Sequence, residues 1–137
     1  MTDTVCDASV LVKWFRVEGE QHVDAAHAVR ARFERGEYRI IVPFLIFLEL
    51  LNQAARRWHK TAEELEDYAN DLSTLGLTIM EPQIEDIARW CGRGLTAYDA
   101  CYVALAETRG IVVITADEEM LAVGGTFARA LADEPPL

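Results

Sequence analysis

Residues 95–117 read LTAYDACYVALAETRGIVVITAD, a helix, a stop and a strand in one unbroken stretch. Thr96 has the hydroxyl of a helix cap, the small and apolar residues from Ala97 to Ala106 carry the helix on, and Gly110 ends it. Ile111-Val112-Val113-Ile114 is then a continuous apolar run, the pattern of a central parallel strand covered on both faces. The same alternation recurs upstream. Thr4–Cys6 reads as a short strand that stops at Asp7, followed by a short helix over Ala8–Phe15. Val23, Ala26, Val29 and Phe33 keep helical spacing to Gly36, and Arg39–Val42 reads as a strand ending at Pro43.

From Pro43 the chain runs Phe44-Leu45-Ile46-Phe47-Leu48-Glu49-Leu50-Leu51 and turns polar only at Asn52 and Gln53, so a helix here is apolar on all sides. Thr61 with Glu64 forms a capping box for a helix through Leu65, Tyr68, Leu72 and Leu75, and Leu77–Met80 is a further strand candidate. Ile84, Ile87, Ala88 and Cys91 fit a helix that Gly92–Gly94 ends. After Asp117 come a short helix to Val123, a Gly124-Gly125 turn and a weakly encoded strand or helix over Thr126–Leu131. Strands alternating with helices predict an α/β sandwich with a mostly parallel sheet. No repeat, linker or low-complexity tract divides the chain, so one domain is expected over residues 1–137, with the acidic and proline-rich Asp133–Leu137 fraying.

The 137 residues are 51% hydrophobic and 26% charged, enough for one core without disulfides or a structural metal. Cys6, Cys91 and Cys101 are odd in number and widely spaced, as in reduced core residues of a cytoplasmic protein. Met1–Phe15 lacks the features of a secretory signal, and no apolar run reaches membrane-spanning length. Subtracting 23 acidic from 13 basic residues gives −10, which excludes a broadly positive surface gripping nucleic acid.

Four acids stand out. Glu49 is the one charge among the eight positions Phe44–Leu51; it lies on a solvent-facing stripe or, if buried, needs compensation from Arg56 or Arg57 further along the helix or from a shared cation. Asp7 and Asp117 each follow a strand, where ligands of parallel sheets gather, and each is equally a good N-cap. Asp99 lies in the first turn of the Thr96 helix, where it also suits a capping role. Converging carboxylates repel unless neutralised, and an all-oxygen set suits Mg²⁺ or Mn²⁺. Other chemistries lack their residues: there is no paired-histidine motif, no nucleophile elbow at Ser9 or Ser73 and no phosphate-cradling glycine loop. The tryptophans Trp14, Trp58 and Trp90 suit a core or an interface more readily than base stacking.

Val5-Cys6-Asp7-Ala8-Ser9-Val10, the run from Pro43 through Glu49 to Asn52, Leu95–Ala106 and Ile114-Thr115-Ala116-Asp117 together resemble the motifs of the PIN domain family, in that family's order and over nearly the whole chain. The closest resemblance is to VapC-type toxins of toxin–antitoxin pairs. It implies a three-layer α/β/α sandwich and an endoribonuclease that uses Mg²⁺ or Mn²⁺. Asp7, Glu49, Asp99 and Asp117 would be the catalytic and metal-binding acids, with Ser9 and Thr115 as hydroxyl partners beside them. Lys13, Arg16, Arg56, Arg57 and Lys60 are candidates for guiding the RNA backbone past the acidic field. The resemblance further implies a homodimer and a small antitoxin whose Arg or Lys reaches the acids. The competing readings are a PIN-like module that binds RNA or a partner without cutting, and a metal-dependent DNA nuclease. A phosphoacceptor receiver domain fits poorly, since Lys13 and Lys60 are the only lysines and neither is late in the chain.

Overall fold

Strand β1 (Thr2–Cys6) is the middle of a five-stranded sheet in the computed structural model, which describes residues 1–137. It pairs with β2 (Tyr38–Val42) on one side and β4 (Val113–Thr115) on the other; β3 (Thr78–Ile79) extends the sheet beyond β2, and β5 (Ala128–Ala130) beyond β4. Every pairing is parallel, so the order is β3-β2-β1-β4-β5 and the expected α/β sandwich is present with a wholly parallel sheet. Neighbouring side chains on a strand point to opposite faces, and Val5, Cys6, Ile40, Ile41, Val113 and Ile114 are all fully buried. Both faces of the central strands are therefore covered, which explains the uninterrupted apolar runs in the sequence.

The crossovers are helical. β1 is followed by α1 (Ala8–Leu11), a 3-10 turn over Val12–Trp14 and α2 (Val23–Glu34); β2 by α3 (Leu45–Arg56) and α4 (Ala62–Ser73); β3 by α5 (Ile84–Gly92) and α6 (Ala97–Arg109); and β4 by α7 (Glu118–Gly124). Thr61 and Glu64 form the expected capping box, Thr96 caps α6, and Gly110 takes the left-handed conformation, φ +66°, that ends α6 and turns the chain toward β4. The chain leaves β1 toward β2 on one flank and returns to its other flank as β4, so the topological switch point lies between the ends of β1 and β4.

Three expectations change. The apolar helix begins at Leu45 rather than Pro43, and it is not enclosed: Ile46, Leu50 and Ala54 enter the core, whereas Phe44 just before it and Leu48 are more than half exposed. Cys6 is buried, but Cys91 and Cys101 are only partly so; all three are free thiols. Trp90 takes the core placement expected of it, almost wholly buried with its indole N–H donating to Glu107 at 3.1 Å. The C-terminal tail is fastened rather than frayed. Glu134 has a fully buried side chain that accepts hydrogen bonds from Tyr38 at 2.7 and 2.8 Å and from Arg129 at 3.1 Å, while Arg32 lies 3.6 Å away and donates to the Pro135 and Pro136 carbonyls.

Removing the Glu134 carboxylate would strand these donors where solvent reaches them only in part. Glu134→Ala should lower the urea midpoint by the equivalent of about 2 kcal/mol with an unchanged m-value. Glu134→Gln, which keeps an acceptor, should lose less.

Candidate active site

Asp7 stands where β1 ends, as the N-cap of α1, and is 4% exposed. Its Oδ1 accepts from the backbone N–H of Ser9 at 3.1 Å and from the Ser9 hydroxyl at 2.6 Å. Its Oδ2 accepts from the Thr115 hydroxyl at 2.5 Å, which ties the end of β1 to the end of β4. Ser9 Oγ in turn accepts from the Ala116 N–H at 2.9 Å, and Thr115 Oγ1 accepts from the Asp117 N–H at 3.0 Å. The two hydroxyls thus shape the loop that delivers Asp117. That residue caps α7, accepting from the Met120 N–H at 2.9 Å through Oδ1. The capping role anticipated for Asp7 and Asp117 is therefore real, and it coexists with their place at the switch point.

Glu49 and Asp99 come from two different crossovers. Glu49 is half-buried on α3, and its Oε1 accepts a short hydrogen bond from the hydroxyl of Tyr102, itself 1% exposed on α6. Neither Arg56 nor Arg57 pairs with Glu49; its compensating partner is this phenol. Asp99 lies one turn before Tyr102 on α6, where its backbone N–H donates to Thr96 Oγ1 at 3.1 Å. Sequence reading had no reason to single out Tyr102, because an aromatic residue on an apolar helix looks like packing.

The four acids feel one another. Burial is the largest cause pushing the Asp7 carboxyl up, from 3.8 to about 6; its hydroxyl partners oppose this, and Asp99 and Glu49 add to it. Burial likewise raises Glu49, opposed by Tyr102 and reinforced by Asp99. Asp99 is raised first by burial and then by Asp117. Residues from four separate parts of the chain therefore share one negative field. No group of three such side chains closes to a common coordination distance. The donor chemistry nevertheless fits a hard divalent cation: the four acids and the two hydroxyls beside Asp7 offer oxygen donors alone, and the repulsion is of the kind such an ion relieves.

The basic residues sort differently from expectation. Lys13 is buried, with its ammonium 2.7 Å from Glu20, so its charge is spent inside the fold and is not offered to a ligand. Lys60 lies 3.8 Å from Glu64. Arg16 sits over the Trp58 ring, 5.2 Å from its centroid, with the exposed Glu18 at 3.5 Å. Arg56 and Arg57 are exposed and make no ion pair; Arg57 lines a cavity with Arg16, Ser9 and Asp117, and Arg56 does not.

On the other side of α3 an open groove of about 900 Å³ runs between α3 and α4, bordered by Leu45, Leu48, Leu51 and Leu65 and reaching Glu49 and Tyr98. The acids stand between this groove and the Arg57 cavity. No helix is long and apolar enough to cross a membrane.

Comparison with known proteins agrees with this fold. The exonuclease VapC9 of Pyrobaculum aerophilum is 44% identical over 43 residues, which are 31% of this chain and 32% of that protein, so the match spans about a third of the relative's length. The crystal structure of PAE2754 from Pyrobaculum aerophilum has the same fold, with a TM-score of 0.68 at 24% identity, covering 96% of this chain and 90% of that one. The model of the PIN domain matches residues 4–125, a span that holds all four acids and both hydroxyls that organise them. The chain belongs to the PIN domain family.

Proposed function

We propose that this chain, acting as one PIN domain over residues 1–137, is a metal-dependent ribonuclease and the toxin of a toxin–antitoxin pair. The observation that carries the reading is the gathering of Asp7, Glu49, Asp99 and Asp117 around the β1–β4 switch point, in a field that raises the carboxyl pKa of Asp7, Glu49 and Asp99. These four would hold Mg²⁺ or Mn²⁺. Such a cation, when bound, offers positive charge to the scissile phosphate and its leaving oxygen and lowers the pKa of water.

The chain's own residues supply orientation. Ser9 and Thr115 keep Asp7 in a single rotamer, Tyr102 does the same for Glu49, and the cap of α7 fixes Asp117. In-line attack by water would leave a 5′-phosphate and a 3′-hydroxyl without using the substrate's 2′-hydroxyl. The VapC9 relative is named an exonuclease. Endonucleolytic cutting is favoured here because the acids lie between two depressions, so a strand has a path on either side of them.

The α3–α4 groove suits an apolar segment of a small antitoxin, and an Arg or Lys on that segment would reach Glu49 and its neighbours. An acidic toxin favours such a basic partner. Exposed Phe44 and Ile79, outside that groove, suit a homodimer, and the free thiols suit the cytoplasm.

With Mg²⁺ or Mn²⁺ the purified protein should cut single-stranded RNA internally, chelation should stop it, and Asp99→Asn should abolish cutting with an unchanged circular dichroism spectrum. RNA binding without cleavage would assign the non-catalytic reading, and equal cleavage of single-stranded DNA would remove the preference for RNA. Glu49→Gln should weaken Mn²⁺ binding in calorimetry. Tyr102→Phe, which deletes only the hydroxyl, should weaken it roughly tenfold, and an unchanged titration would leave that phenol a packing role alone.

Asp7 also has a stability signature. Its folded-state pKa is raised, so its contribution is fully present below about 3.8 and is lost as pH rises through about 6. Without divalent metal, Asp7→Asn should be more stable than the parent at pH 7, by up to roughly 3 kcal/mol, and the gap should close below pH 4. An equal or lower unfolding midpoint for the variant at neutral pH would show that ionised Asp7 is not under strain.

A further inference from the structure

The cavity beside Asp117 has a composition that the acid cluster does not require. It measures about 320 Å³, the lower end of the range for small-ligand sites. Its walls bring together Ser9 and Asp117 from the site, Arg16 and Trp58 from two loops, and Gln53 and Arg57 from the end of α3. Glu49, Gln53 and Arg57 are spaced by four residues, so they follow one face of α3 from the acids into the cavity, about 6 Å of axis per step.

Three observations point to a polar, anionic occupant. Arg57 is exposed and makes no ion pair, in a chain of net charge −10. Arg16 lies over the Trp58 ring, which holds its guanidinium at the cavity wall, and its one acidic contact is a solvent-exposed glutamate at 3.5 Å. Gln53 Oε1 is closed off from solvent and meets no donor, so its carboxamide keeps unused hydrogen-bonding capacity beside the cavity. Of the other charges on its walls, Lys13 is paired with Glu20, while Glu18 and Asp117 oppose the two guanidinium groups, so the cavity is neutral overall and favours an anion once a cation masks Asp117.

Resting on the nuclease reading above, we propose that this cavity seats a nucleotide flanking the scissile bond, with Arg16 and Arg57 gripping its phosphate and Gln53 offering its amide to the bound unit. Guanidinium groups suit this task because their forked donors match phosphate oxygens. The grip supplies locally the attraction that the chain's overall charge denies, and it sets the strand in register with the acids.

The test measures binding of a short fluorescent single-stranded RNA to the uncut complex, using Asp99→Asn as background in Mg²⁺ buffer over a series of salt concentrations. Arg57→Ala and Arg16→Ala should each weaken binding roughly tenfold, and each should reduce the slope of log K against log salt by about 0.7, the value for one lost phosphate contact on a single strand. Arg35→Ala, at the opposite end of the sheet beyond α2, should change neither. Wild-type cleavage together with parental affinity and salt slope in both arginine variants would overturn the subsite and leave the nuclease reading standing. A wild-type protein that neither binds nor cuts RNA would overturn both.

Discussion

One buried carboxylate joins the two halves of this sheet. Asp7 closes β1 and starts α1 through one oxygen, and it reaches across to the hydroxyl that ends β4 through the other. Parallel strands have no hairpin to set their relative position, so such a cross-link at their ends matters more than it would in an antiparallel pair. The same group is forced out of water and set near Asp99 and Glu49, which raises its proton affinity. Structural and chemical roles therefore compete for one side chain, as expected where strain is retained for function.

Helix α3 separates two environments. Its buried line of Ile46, Leu50 and Ala54 anchors it, leaving Glu49, Gln53 and Arg57 toward the acid cluster and Leu45, Leu48 and Leu51 toward α4. One helix thus offers an apolar groove and a polar path on adjoining faces. The protein's net charge says little about either, because surface electrostatics are local at physiological salt, where screening acts over about 8 Å.

The sequence was most legible where several physical constraints coincided. The Thr96 cap and the Gly110 stop marked α6 almost to the residue, the apolar run behind them marked β4 although the strand itself begins only at Val113, and the acids after β1 and β4 followed from parallel topology. Legibility failed where tertiary pairing replaced local propensity. Ala128–Ala130 forms an edge strand because β4 offers it a template, and Thr78–Ile79 needs only two residues beside β2. Partnerships made at long range were also hidden. Nothing local distinguishes Tyr102 from a core aromatic, and the tail looked loose because Tyr38 and Arg32 lie far from Glu134 in sequence.

The order of the strands has a consequence for biosynthesis. The sheet's central strand is translated first, yet its neighbour β4 begins only at Val113, and the four acids are spread from residue 7 to residue 117. A nascent chain still on the ribosome has β1, β2 and α3 to assemble but lacks the residues that complete the pocket. Whatever chemistry these carboxylates perform is therefore withheld until synthesis has passed Asp117, a delay built into chain topology.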